Sequence, residues 1–384
     1  MRTYDGCENS CRAILTGEWA VHGIDKEMRK RIMKRVALLL TLLCVLSLLA
    51  PMRLVAEDMI RIRVIDENRV ASEETLTGKI ESVSTTEVSL TQAGTQQGVP
   101  CNTILWLQYE NEPIDLTTAR TMFLAARYDE ALENLSKSEK DRASLTEPVL
   151  AELDYLKAAC IAQSALALGE RDPLTAAGKE LVAFQKKYAA SWHLFDVYET
   201  TGRILLALGR NDQAKGFFDR LADAPWSDVK LRGMTASAEI LLATQKWEEA
   251  AQAFQAVIDF AQENSPLVNE AKDFARIGLA QALAGQEKFD DALSLLRRII
   301  DENPLRNVSL AARLYNTIGA VSQAAGRNQD ALLAYLHVDL LYSSCGQEHS
   351  RALRELYRLW TAKGRQDRAE EALHTLQNKY KINL

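Results

Sequence analysis

Few side chains in this sequence could do chemistry, and their spacing argues against a catalytic assembly. The five histidines are His22, His193, His337, His349 and His374. None stands in an H-E-x-x-H pair or at an i, i+4 spacing that would put two imidazoles on one helix face. No G-x-x-x-x-G-K-[ST] or G-x-G-x-x-G segment cradles a phosphate, and no G-x-S-x-G elbow presents a serine. The six cysteines are Cys7, Cys11, Cys44, Cys101, Cys160 and Cys345. Their spacing is neither a disulfide framework nor a zinc knuckle, and Cys160 and Cys345 read as small apolar core residues. The acidic pairs Glu248-Glu249 and Asp290-Asp291 fall where helices would begin, and carboxylates there complement the helix dipole. Catalytic, cofactor-binding and metal residues are therefore all assigned as none. An enzyme reading would need a site assembled from scattered residues.

The elements that must position any site fall into four segments. Arg29, Lys30, Arg31, Lys34 and Arg35 form a basic cluster, followed by an uncharged run from Val36 to Ala50. Leu54-Val55-Ala56 then offers a small-residue cut. This is the layout of a secretory signal over 28–56, with residues 1–27 as an extension before Met28 or Met33. Two fates stay open: cleavage after Ala56, or retention as an N-terminal membrane anchor through residues 36–56. Either way the body is expected outside the cytoplasm, in a periplasm or its equivalent, with the basic cluster left inside. Residues 57–384 carry a net charge of −10, which opposes a grip on nucleic-acid phosphates.

Residues 57–112 alternate with strand periodicity. The expected strands are 59–65, 77–83, 87–91 and 103–109, with a loop over 93–98. Such a module would be a small curled sheet or barrel, vaguely similar to SH3-like or Sm-like barrels, docked on the first helices that follow. Trp106 reads as a core residue, with a ligand platform as the alternative.

From Leu116 onward apolar residues recur at helical spacing, and one phrase returns. It reads Ala126-Arg127-Tyr128-Asp129-Glu130-Ala131, then Gly209-Arg210-Asn211-Asp212-Gln213-Ala214, then Lys246-Trp247-Glu248-Glu249-Ala250. It continues as Lys288-Phe289-Asp290-Asp291-Ala292, Gly326-Arg327-Asn328-Gln329-Asp330-Ala331 and Gly364-Arg365-Gln366-Asp367-Arg368-Ala369. From Ala214 the alanines lie 36 to 42 residues apart. Twelve residues before five of them stand Ala119, Gly202, Ala238, Ala280 and Gly319, while the last unit has Tyr357. Pro225 and Pro304 fall near closing turns, and a degenerate unit centred on Ala177 spans 149–188. This pattern resembles the tetratricopeptide repeat (TPR) family, exported bacterial envelope type. The resemblance covers roughly 116–380.

The resemblance implies a mainly α fold: a TPR-like right-handed helical solenoid of six to seven repeats over 116–384, preceded by the β-rich module. It also implies a non-catalytic scaffold or adaptor that binds peptides or proteins along a concave groove of first helices. By register, that groove would present Arg313, Asn316, Gln323, Arg351, Arg354 and Arg358 at its C-terminal end. Arg203, with Asp196, Glu199, Arg232 and Glu239, would give a mixed-sign middle, and Phe274 and Ile277 an apolar patch. Arginine pairs bidentately with carboxylates, so acidic segments are the expected partners. The alternative is a structural or self-assembling envelope component with the β module as its contact. The oligomeric state stays open.

Overall fold

A computed structural model describes residues 57–65, 71–260, 265–302 and 305–384. The signal segment, the 1–27 extension, Cys7, Cys11, Cys44, His22 and Pro304 lie outside the described residues. Residues 57–384 form one compact unit.

The β module has five antiparallel strands: β1 (Asp58–Ile65), β2 (Ala71–Val83), β3 (Glu87–Gln92), β4 (Thr95–Pro100) and β5 (Ile104–Gln108), in the order β4-β3-β2-β1-β5. The long β2 pairs with β1 as far as Gly78 and with β3 from Lys79 onward, so the sheet curls about that point. A Cβ at Gly78 would lie 2.4 Å from the Thr91 carbonyl oxygen, which is why glycine stands at the bend. The loop expected over 93–98 is instead a two-residue turn, Ala93-Gly94, with φ of 49° and 82°. Two consecutive positive φ values suit a tight hairpin, and residues 95–100 are left free to pair as β4. Trp106 sits opposite Arg61 on the outer face and is half-buried, so it is not the core residue expected. The core is Ile60, Val88, Leu90, Val99, Ile104 and Leu107, closed by Trp192 and Trp226 from the helical body. Tyr109 packs against both this core and that of the first helices, as expected, and the module also reaches further, to Asp228 through Asn102 (3.0 Å) and to Glu270 through Arg63 (3.8 Å).

Fourteen α-helices follow among the described residues, in seven hairpins. These are α1 (Ile114–Leu124) and α2 (Tyr128–Ser138), α3 (Glu147–Leu168) and α4 (Arg171–Lys187), then α5 (Leu194–Ala207) and α6 (Asn211–Ala222). Next come α7 (Ser227–Ala243) and α8 (Trp247–Ile258), α9 (Pro266–Gly285) and α10 (Phe289–Glu302), and α11 (Val308–Ala324) and α12 (Asn328–Leu341). The last pair is α13 (Gly346–Ala362) and α14 (Gln366–Tyr380).

Six of the hairpins turn in the same way. The residue five before each key alanine is left-handed: Ala126, Gly209, Gln245, Glu287, Gly326 and Gly364, with φ from 56° to 75°. In five of them the next residue, Arg127, Arg210, Lys246, Arg327 or Arg365, has φ from −95° to −88° and ψ from 61° to 73°. The six alanines are fully buried, as the pattern requires. The small residues meet aromatics: a Cβ on Gly202 would lie 2.3 Å from the Phe218 ring, and one on Gly319 2.6 Å from Tyr335. A glycine there lets a whole ring fill the space between paired helices. The chain therefore has a TPR-like helical-repeat fold, built from local geometry that recurs unit by unit.

One tertiary feature was not legible in the sequence: the solenoid closes on itself. The first helices adjoin in the series α3, α5, α7, α9, α11 and α13, and α13 returns to pack on α3. At the seam Ser350 donates to the Ala167 carbonyl (2.9 Å) and Arg354 to that of Leu168 (2.8 Å). Both acceptors belong to the last turn of α3, whose carbonyls have no partner within their own helix. Leu168 packs into the core of the last two hairpins, and Gly346 lies close to Ala167, Tyr128 and Tyr380.

Candidate functional site

Five first helices, α5, α7, α9, α11 and α13, line an open cavity of about 630 Å³ on the inner side of the ring, with Trp247 of α8 at its edge. Its walls hold Arg203, Glu239, Gln281, Arg313, Thr317, Glu348 and Arg351. Small side chains, Ala243, Ala284, Gly285, Ala320 and Ala324, line much of the rest and keep it open. Trp247 reaches the cavity because Gly285 has no side chain: a Cβ there would lie 2.4 Å from the indole.

The charges of this cavity are largely spent on one another. Arg313 donates to Glu239 at 2.5 Å, and the Arg203 guanidinium lies 3.5 Å from the same carboxylate. Arg203 also holds Glu199 at 2.8 Å, and Arg232 binds both Glu199 and Asp196. Burial alone would raise the Glu199 carboxyl, but the Arg232 and Arg203 charges pull it down to about 2. The middle of the inner face is thus a neutralised lattice in which each ion has a partner, so that removing one member would leave the other charge uncompensated.

The structure separates the residues expected to form one Arg-rich end. Arg351 is exposed in the cavity and has no carboxylate partner among the described residues, and neighbouring Gln347 is also exposed. Arg354 is committed to the α3 carbonyls at the seam and does not face the cavity. Arg358 is mostly exposed and bonds Glu355 of its own helix at 2.6 Å. Asn316 is wholly buried and donates to Glu348, at 2.9 Å to the carbonyl and 2.6 Å to the carboxylate. Gln323 accepts from the Tyr335 hydroxyl at 3.3 Å. Ile277 has no exposed surface and belongs to the core between the α9–α10 and α11–α12 hairpins, so it cannot serve as a contact patch. Phe274 is partly buried there, with the Arg313 guanidinium 6.0 Å from its ring. Register alone could not show this, because partners on a curved inner wall come from hairpins one or two units away.

A second polar cluster, invisible in the sequence, lies where the β module, α1, α3 and α5 meet. Glu152 accepts from the Trp192 indole N–H at 2.8 Å and faces His193 Nε2 at 2.9 Å. Arg120 binds Glu112 at 2.5 and 2.8 Å, and His193 stacks on Tyr155 with ring centres 3.3 Å apart. Burial drives the Glu152 carboxyl up, but His193, Arg120 and the Trp192 N–H together hold it below the usual range. Arg120, Glu152, Trp192 and His193 are all buried, so the cluster ties the elements together from within. Among the described residues no group of His, Cys, Asp and Glu is arranged to hold a metal, and no helix is long and apolar enough to cross a membrane. The three described cysteines are unpaired.

No family model and no curated protein matches the chain. Two of the solved structures similar to it are the following. A tetratricopeptide repeat protein from Parabacteroides merdae is 14% identical, with a TM-score of 0.41, covering 68% of this chain and 91% of that one. A Rap protein complexed with Competence and Sporulation Factor is 12% identical, with a TM-score of 0.45, covering 70% of this chain and 76% of that one. At such values the assignment rests on this chain's own recurring turns and buried alanines: its body is a TPR-like helical repeat, closed into a ring around a polar cavity.

Proposed function

We propose that the protein is a non-catalytic interaction scaffold whose inner cavity holds an extended segment of a partner protein, with an acidic group of that segment on Arg351. The observation that carries this reading is the contrast inside the cavity: Arg203 and Arg313 are neutralised by carboxylates, whereas Arg351 is exposed without one. A guanidinium with free donors, in a cavity that also holds an indole and an exposed amide, suits a carboxylate on a peptide. Small wall residues leave room for a backbone. The basic cluster and apolar run at 28–56 support placing the scaffold outside the cytoplasm, soluble or anchored through that segment. A phosphatase fusion after Ala56 that stays inactive would rule out export.

The binding test is selection of displayed peptides on the full chain, followed by affinity measurement with Arg351→Ala. Selected peptides should carry an acidic residue or a free carboxyl end and lose at least tenfold in affinity, about 1.4 kcal/mol. Selected peptides without acidic groups, bound equally by the variant, would overturn the reading. A self-assembling role has one observation in its favour, the exposed edge strand β4. Light scattering that shows an oligomer abolished by a proline within β4 would favour it.

A further inference from the structure

A second cleft opens on the outer side of the ring, between α4 and α6, with α5 as its floor, and has a volume of about 800 Å³. It exists because two helix positions that face it carry no side chain. A Cβ on Gly178 would meet only Ile204, at 3.5 Å, and one on Gly216 would meet nothing within 4 Å. Both glycines are helical, with no positive φ to explain them. Glycine inside a helix costs roughly 0.5–1 kcal/mol relative to alanine, so each is a local loss whose visible effect is the open space.

The floor is apolar, from Ile204, Leu205 and Leu208, with Phe217 on the α6 bank beside it and one polar exception. Thr201 lines the cleft, is 2% exposed, and its hydroxyl has no hydrogen-bond partner. A helical threonine ordinarily satisfies that hydroxyl on the carbonyl four residues back, and a buried one left alone costs about 1–3 kcal/mol. The rim is basic on an acidic body. Lys179, Lys186, Arg210 and Arg220 border the cleft, with Asp212 as the one carboxylate among its lining residues. None of the four cations has an ion pair among the described residues; Arg220 instead lies 5.1 Å over the Tyr198 and Phe217 rings.

We propose that this cleft is a docking site for an acidic amphipathic helix of a partner protein. Its apolar stripe would cover the α5 floor, and flanking Asp or Glu would pair with the four cations. The charges stand on both banks, Lys179 and Lys186 on α4, Arg220 on α6 and Arg210 in the turn before it, rather than at one end. That distribution matches a helix with acids along both flanks of an apolar stripe and does not match a fatty acid, whose single charge sits at its tip. Along α4 the lining runs from Leu174 to Lys186, about 18 Å at the helical rise, enough for roughly three turns of an incoming helix.

The test uses the full chain and a labelled synthetic helix of roughly three to four turns, with leucine at i, i+3, i+4 and i+7 and glutamate on both flanks. Binding is read by fluorescence anisotropy. The peptide should bind and weaken as salt rises, because the rim charges are screened. Gly216→Leu should abolish binding while the fold is kept, since it adds a helix-favouring residue into open space. Thermal melting checks this independently. Lys186→Glu with Arg220→Glu should weaken binding at least tenfold, and Arg351→Ala in the inner cavity should leave it unchanged. The proposal is overturned if the peptide binds Gly216→Leu as well as the parent, or if a lysine-flanked peptide binds equally. It is also overturned if oleate fills the cleft and the peptide does not.

Discussion

Charge reversal at Arg354 separates two accounts of the C-terminal hairpin. Register in the repeat places Arg354 on the partner-binding face, where Arg354→Glu would weaken an acidic partner and leave the fold alone. In the structure its guanidinium donates to the Leu168 carbonyl at 2.8 Å and, more weakly, to that of Ala167 at 3.4 Å. A hydrogen bond from a charged donor is worth about 1.5–3 kcal/mol, and Arg354 is half-buried, so the lower half of that range applies. Arg354→Met keeps the aliphatic stem and should cost about 2 kcal/mol. Arg354→Glu adds a negative charge beside the negative end of the α3 dipole, a further 0.3–1 kcal/mol or so. The loss should be local at first, because hairpins in a stack are stabilised by their neighbours and this contact joins the two ends of the row. Urea unfolding of the full chain gives the total. Amide exchange around 167–169 and in 346–354 reports the seam, and small-angle scattering reports whether the ring opens. A variant with parental midpoint, exchange and dimensions would refute the closure argument. One that keeps all three but loses an acidic ligand would restore the groove reading of Arg354.

Further expectations follow from the same geometry. Glu287 is exposed, makes no side-chain bond and holds φ at 64°, a conformation that costs an L-residue roughly 1 kcal/mol, so Glu287→Gly should raise the thermal midpoint; an unchanged or lower midpoint would contradict this. Gly319→Ala would set a methyl 2.6 Å from the Tyr335 ring, and despite the better helix propensity it should destabilise by about 1–3 kcal/mol in urea titration. Asp154, bonded to Arg142, Lys187 and Tyr188, and Glu199, bonded to Arg203 and Arg232, each titrate near 2, the ion pairs outweighing burial. A carboxyl depressed by folding stabilises above its unfolded value near 4 and loses that as the pH falls toward 2. Each should therefore contribute about 2–3 kcal/mol at neutral pH, and Glu199→Gln should flatten the stability profile between pH 4 and 2. Burial pushes the Cys101 and Cys160 thiols up to about 12, so both should resist alkylation at pH 8 until the chain is unfolded; rapid labelling of the native protein would count against that.

The repeat itself was legible in the sequence because its physics is local. Ala131, Ala214, Ala250, Ala292, Ala331 and Ala369 must be small wherever paired helices touch, and each hairpin turn needs the same left-handed residue, so the signal returns every unit. The Gly-Arg pairs at 209, 326 and 364 announce that turn directly, whereas Gln245 and Glu287 adopt it at a cost that the residue type does not reveal. In the β module, strand alternation marked β1, the second half of β2, β3 and β5, but it took the Ala93-Gly94 turn to show that 95–100 is a strand. What escaped the sequence is whatever depends on summed rotations. A small angle at each hairpin, added around six of them, decides whether α13 meets α3, and no single unit encodes the total. That closure moved Arg354 from an expected ligand contact to a structural seam, and curvature brought Glu239 to both Arg203 and Arg313 while leaving Arg351 unpaired. The outer cleft is a difference of the same kind: Gly178 and Gly216 are ordinary residues in the sequence and become a gap only when α4 and α6 stand side by side. Residue types determined that this chain stacks helical hairpins; only the assembled stack decided which of its charges are already spent and which remain for a partner.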